Sequence, residues 1–100
     1  MDKIVIGKNK YDNDCLFKLA EDHHTWFHIA NESSAHLWFS ESSTNISKHD
    51  LYKVALHLKK KSKFAKVNSI EIVYAQKSQL QISNVIGQII ITGKSRIIKV

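Results

Sequence analysis

The sequence predicts an α+β fold: a single domain over residues 1–100, in which a mainly antiparallel sheet of about five or six strands carries two helices. Three observations lead there. Strand-like segments follow one another directly at two places in the chain, which favours an antiparallel sheet over a doubly wound one. Only residues 47–61 show a clear helical stripe, with a shorter helical segment nearer the N-terminus. The chain has no proline, no repeat and no low-complexity tract, so nothing in it reads as a linker.

The elements follow in order. Residues 3–7 read as a short strand. Tyr11-Asp12-Asn13-Asp14 is turn-like and caps a helix through Leu16, Phe17, Leu19 and Ala20. Residues 25–29 are rich in β-branched and aromatic side chains and form a strand. Asn31-Glu32-Ser33-Ser34 is a turn, and residues 36–40 return from it to complete a hairpin. Residues 41–45 are small and polar, a loop. In residues 47–61, Leu51, Val54, Ala55 and Leu58 fall at i, i+3, i+4 and i+7 on one face. Ser47 with Asp50 resembles a capping box in which Asp replaces the usual Glu. Lys59, Lys60, Lys61 and Lys63 gather at the far end, where cations suit the helix dipole. Residues 69–75 alternate, with Ile70, Ile72 and Tyr74 on one face and Glu71 and Val73 on the other. Residues 88–92 and 96–100 are the last two strands. Gly93 lies between them and suits a tight turn at positive φ.

Hydrophobic residues make up 43% of the chain, enough for a modest core and the marginal stability usual at this size. No apolar run reaches the length of a membrane span, and the apolar stretch near the N-terminus is too short for a secretory signal. The expectation is a cytoplasmic protein, with the nucleus also open to it, that does not insert into membranes. The single cysteine, Cys15, excludes an intrachain disulfide and reads as a small apolar residue on a helix.

Charge separates the halves of the chain. Residues 1–50 hold five lysines against eight carboxylates, whereas residues 51–100 hold ten basic residues against one acid, Glu71. Such an asymmetry favours a polyanion as partner, and nucleic acid is the commonest.

The side chains able to carry chemistry concentrate between Gly7 and His36. On alternating strands Trp26 and His28 share one face and Phe27 takes the other, the place of a core residue. Trp38 falls on the same side as His36, so one face gathers Trp26, His28, His36 and Trp38. Trp26, Phe27, Tyr11 and Trp38 are the aromatic candidates for stacking on unpaired bases. His28 and His36 carry two readings: hydrogen bonding to the turn or to a nucleic acid, or acid–base catalysis with Asp14 as orienting partner. A metal site would need a third ligand such as Asp14 or His24, and none is assigned; no cofactor is implied. Gly7-Lys8-Asn9 lacks the second glycine and the Lys-Ser/Thr pair of a phosphate-binding P-loop. The lysine cluster at 59–63 reads either as a solvated helix end or as a nucleic-acid-backbone contact.

Gly7-Lys8-Asn9, Asn13-Asp14, Trp26-Phe27-His28, Ser33-Ser34-Ala35-His36 and Val85-Ile86-Gly87-Gln88-Ile89 occur in an order that resembles the NFACT-R family of RNA-binding domains. The resemblance runs from about Ile4 to Val100. It is nearest to a small eukaryotic stand-alone branch, the coiled-coil-domain-containing NFACT-R proteins, whose members continue into a long charged helical tail. Larger members carry this domain within the tRNA-recruiting subunit of ribosome-associated quality control. The resemblance therefore implies an RNA-binding module for tRNA or ribosomal RNA, linked to translation and to the ribosome. The residues it and the charge pattern assign to RNA are Lys8, Asn9, Lys10, Asn13, Trp26, His28, Ser34, His36, Lys59, Lys60, Lys61 and Lys63. A monomer is expected, and DNA stays open as a partner. Two other readings stand beside this one: an enzyme cleaving tRNA or peptidyl-tRNA through His28, His36 and Asp14, and a ribosome-bound protein adaptor.

Overall fold

The computed structural model describes residues 3–32 and 34–100, so Ser33 of the expected turn lies outside the described residues. Among the described residues, seven strands and two α-helices follow in the order β1 (Ile4–Ile6), α1 (Lys10–Leu19), β2 (Thr25–Ile29), β3 (Leu37–Phe39), α2 (Lys48–Lys60), β4 (Glu71–Gln76), β5 (Leu80–Ile82), β6 (Ile89–Ile91) and β7 (Arg96–Lys99). Five strands form one sheet in the order β1-β3-β2-β4-β7, and every neighbouring pair is antiparallel. β5 and β6 form a separate two-stranded hairpin.

The period of two along the strands divides the sheet into two layers. Phe27 and Ile29 of β2, Leu37 and Phe39 of β3, and Ile72 of β4 face α2, which meets them with Leu51, Val54, Ala55 and Leu58. This is the main core, and Phe27, Ile29, Leu37, Ala55, Leu58 and Ile72 are wholly buried in it. The other face carries Trp26, Trp38 and Ala75, with Leu80 of β5 packed among them. Leu16 and Phe17 of α1, Ala20 at its C-cap, Val73 of β4 and Ile89 of β6 pack against that second cluster.

Capping explains both helices. Ser47 Oγ accepts the Asp50 N–H at 3.1 Å, the pairing the sequence suggests. At α1 the cap is Asn9, whose Oδ1 accepts the N–H groups of Tyr11 and Asp12 at 2.9 Å each. The expectation of a turn at Tyr11-Asp12-Asn13-Asp14 is thus corrected: these residues already lie in the first turns of the helix. At the other end of α1, Lys77 Nζ donates to the Ala20 carbonyl at 2.6 Å and lies 4.9 Å from the Phe17 ring centroid. Asn31 adopts φ 61° at the β2–β3 turn, a conformation Asn tolerates better than most residues.

The C-terminal strands depart from expectation. β6 pairs with β5, a strand that the sequence pattern does not announce, and β7 pairs with β4. Residues 92–95 are a crossing between two sheets and not a hairpin turn. Gly93 keeps an ordinary φ, and its lack of a Cβ serves close packing against the Gln79 side chain instead. Gln79 holds the crossing through its backbone carbonyl, which accepts the Thr92 N–H at 2.8 Å, and its Oε1, which accepts the Lys94 N–H at 2.9 Å. β7 forms one edge of the main sheet and leaves Ile97 exposed.

Candidate functional site

The second layer does not close over the sheet completely. Between the start of α1, the β2–β3 turn and the loop before β6 lies a cleft of about 610 Å³. Lys8, Asn9, Lys10 and Asn13 form its first wall, and Val85, Ile86, Gly87 and Gln88 form its second. Glu32, Ser34 and Ala35 contribute the third side, and Trp26 and His28 the floor.

Two glycines let the walls approach. Gly7 is buried and donates its N–H to the His36 carbonyl at 2.9 Å. A Cβ on Gly7 would collide with the side-chain amide of Asn13, itself buried. Gly87 has φ +77°, and a Cβ there would fall 2.5 Å from the Lys10 carbonyl oxygen. The loop carrying Gly87 is a tight turn closed by Ser83, whose Oγ accepts the Val85 N–H at 3.0 Å and whose N–H donates to the Gln88 carbonyl at 3.0 Å.

The floor is an aromatic lattice set by register. Trp26 lies directly opposite Trp38 across β2 and β3. Its ring stacks on His28 at 5.3 Å and 10°, and meets His36 edge-on at 5.5 Å. His28 and His36 are themselves edge to face at 4.8 Å. Phe17 of α1 covers Trp38 from above, with the rings 6.1 Å apart. The face expected to gather Trp26, His28, His36 and Trp38 therefore exists, but most of it is interior. Trp26, His36 and Trp38 are buried, and Trp26 and His28 are the two that reach the cleft. Among the described residues, the indole N–H groups of Trp26 and Trp38, Asn13 Oδ1 and His36 Nδ1 have no hydrogen-bond partner.

Burial decides the charge of the histidines. Desolvation pushes the His28 pKa below its usual value, and a hydrogen bond to the Ile29 backbone opposes that in part. His36 is lowered to about 4, first by desolvation and then by the neighbouring His28. Both rings are neutral at pH 7 and supply no cation for phosphate. Asp14 pairs with Lys18 at 2.9 Å, and no hydrogen bond joins it to either histidine. The described residues hold no His–Asp relay of the kind the catalytic reading requires.

The lysines separate into three environments. Lys8 and Lys10 are exposed at the cleft, and their ammonium groups form no ion pair among the described residues, although the Lys8 backbone N–H donates to the Asp12 carboxylate at 3.2 Å. Lys60, Lys61 and Lys63 are exposed at the end of α2, in the layer opposite the cleft. Lys59 is buried and donates its Nζ to the Val100 carbonyl at 3.1 Å, so it is occupied as a strut between α2 and the last strand. Glu32 and the pair Val85 and Ile86 stand outside the set of residues that the sequence assigns to RNA. An exposed Val-Ile pair just before a glycine is the available signal for the second wall. Glu32 gives no signal beyond its place in a turn.

Glu21, His23 and His24 bring ligand-type atoms within 4.8 Å of one another. His24 Nδ1 accepts the Glu21 N–H at 3.2 Å, which leaves its proton on Nε2, and that nitrogen faces the Glu21 carboxylate at 3.3 Å. Both ring nitrogens are thereby engaged. No helix of the described residues is long and apolar enough to cross a membrane.

Known proteins are similar to this chain in sequence or in shape. The chain is 34% identical over 84 residues to coiled-coil domain-containing protein 25 of Bos taurus and of Mus musculus, matching 78% of this chain and 40% of theirs. The Danio rerio protein of the same name is 34% identical over 83 residues. The chain thus spans less than half the length of these relatives. The C-terminal part of the fibronectin/fibrinogen-binding protein from Streptococcus suis superposes with a TM-score of 0.85, over 97% of this chain and 40% of that one, at 22% identity. The family model described as NFACT protein RNA binding domain matches residues 2–99, and this chain belongs to that family.

Proposed function

We propose that this domain binds RNA in the cleft between the start of α1 and the Val85–Ile86 loop, and that the RNA is tRNA or ribosomal RNA in the setting of translation and its quality control. The carrying observation is a concave site in which two exposed lysines, Lys8 and Lys10, whose ammonium groups form no ion pair among the described residues, stand beside a floor of Trp26 and His28. Lysines attract phosphate, and exposed apolar surface such as that of Val85 and Ile86 accepts bases. Membership of an RNA-binding-domain family supports the same reading. Lys60, Lys61 and Lys63 offer a second stretch of phosphate contacts on the other layer, within reach of an RNA larger than the cleft.

Salt-titrated fluorescence anisotropy with tRNA, ribosomal RNA fragments and duplex DNA tests this. Binding to RNA that weakens steeply with salt, and less steeply after Lys8→Ala with Lys10→Ala, is the expected result. Equal affinity for the double variant would remove the cleft from the interface. Intact RNA at the end of the titration is expected; RNA cut by the wild type and spared by His36→Ala would replace this reading with the enzymatic one.

A further inference from the structure

The cleft is selective in shape. A continuous A-form duplex keeps its bases stacked inside and offers no part that enters a pocket of about 610 Å³. A nucleotide swung out of the helix does enter one, and its exposed π face then finds a surface to cover. Val85 and Ile86 are 61% and 42% exposed, and they line the cleft together with Ile89 and the Trp26–His28 stack. These apolar groups gain from a flat ring in a way that a phosphate backbone cannot supply.

The cleft is also selective in charge, because it contains an acid. Glu32 is exposed, unpaired among the described residues, and shares the cavity with Lys8 and Lys10. A carboxylate beside phosphates weakens binding, so its useful partner is a group that donates hydrogen bonds. An ionised carboxylate only accepts, and it accepts best from two parallel donors. Among the four bases, guanine alone presents two adjacent donors on one edge, N1–H and the N2 amino group; adenine, cytosine and uracil each present one on that edge.

We infer that the cleft takes a single unpaired guanine, its ring against Ile86 and the Trp26–His28 floor, its donor edge on Glu32 and its phosphate at Lys8 and Lys10. This inference rests on the RNA-binding reading and narrows it. Anisotropy at one salt concentration, using a hairpin stem with one bulged G, A, C or U and the same stem fully paired, tests it. The G-bulged RNA is expected to bind about tenfold more tightly than the paired stem and ahead of the other bulges. Glu32→Gln is expected to shrink the guanine advantage to under about threefold, weakening the G-bulged RNA while tightening binding to the paired stem and the other bulges, since both the paired acceptors and a negative charge are removed. Equal affinities for all five RNAs would overturn the inference and leave RNA binding standing. A preference for bulges that ignores base identity would overturn the guanine assignment. Absence of any RNA binding would overturn both.

Discussion

Gly87 rests on the backbone of Lys10. Its missing side chain leaves room for the Lys10 carbonyl, which a Cβ would approach to 2.5 Å, and its φ of +77° is one that side chains with a Cβ resist. This close approach joins the two long walls of the cleft. Gly87→Ala is expected to cost about 1–3 kcal/mol, from strain and from displacement of the loop. Urea unfolding with an unchanged m-value would report that loss, and RNA affinity should fall with it as Val85 and Ile86 move.

The buried His36 and the half-buried His28 make stability depend on pH. His36, held near 4 in the folded state, takes up a proton more readily once unfolded, where its pKa returns to about 6.5. The unfolded state then binds more protons between these values, so stability is full above about 6.5 and declines as pH falls towards 4. His28, lowered in the same direction, adds to the decline. A loss on the order of 2 kcal/mol between pH 7 and pH 4.5 is expected in denaturant titrations. His36→Asn should flatten that profile, and a profile equally steep in the variant would assign the acid sensitivity elsewhere.

The lysines at the end of α2 should behave unalike when reversed. Lys59→Glu places a carboxylate in a buried site facing the Val100 carbonyl, and a loss of about 3–5 kcal/mol is expected. Lys60→Glu and Lys61→Glu, both exposed, should leave the thermal midpoint within a few degrees while lowering the salt slope of RNA binding by about one for each phosphate no longer neutralised. Reversing all three together would confuse unfolding with weaker binding, so melting curves must accompany the affinity measurement.

Lys77 closes the end of α1 with its hydrogen bond to Ala20 and its position over Phe17. Lys77→Met keeps most of the stem but removes both interactions. A destabilisation of about 1–2 kcal/mol is expected, visible in the urea midpoint.

The parts of this fold legible in the sequence are those with a strong local period. Trp26, Phe27 and His28 alternate so plainly that their two faces, and the cross-strand grouping with His36 and Trp38, follow from strand geometry. Leu51, Val54, Ala55 and Leu58 mark α2 in the same way. What escapes is decided at long range. Leu80-Gln81-Ile82 is too short to show a period, and its pairing with β6 depends on Gln79 gripping the crossing near Gly93. The chain near Gly93 looks locally like a hairpin, yet β7 gains more by completing the edge of β4. Lys59 looks like its neighbours in sequence, and only the position of Val100 gives it a buried partner. At the site, Lys8 and Lys10 are legible because charge is, whereas Glu32 enters only when the β2–β3 turn places it beside them.

The motif residues divide by the work they do. Gly7, Asn9, Asn13 and Gly87 all serve the frame: a close approach, a helix cap, a buried amide and a left-handed turn. Lys8, Glu32, Val85 and Ile86 stand at the rim, and their exposed side chains are held by little else. A chain can therefore keep the framing positions of the pattern while its rim, Lys8, Val85 and Ile86 among them, is rewritten for a different RNA. The framing positions are a maker's mark on the socket, and the fitting it accepts is written at the rim.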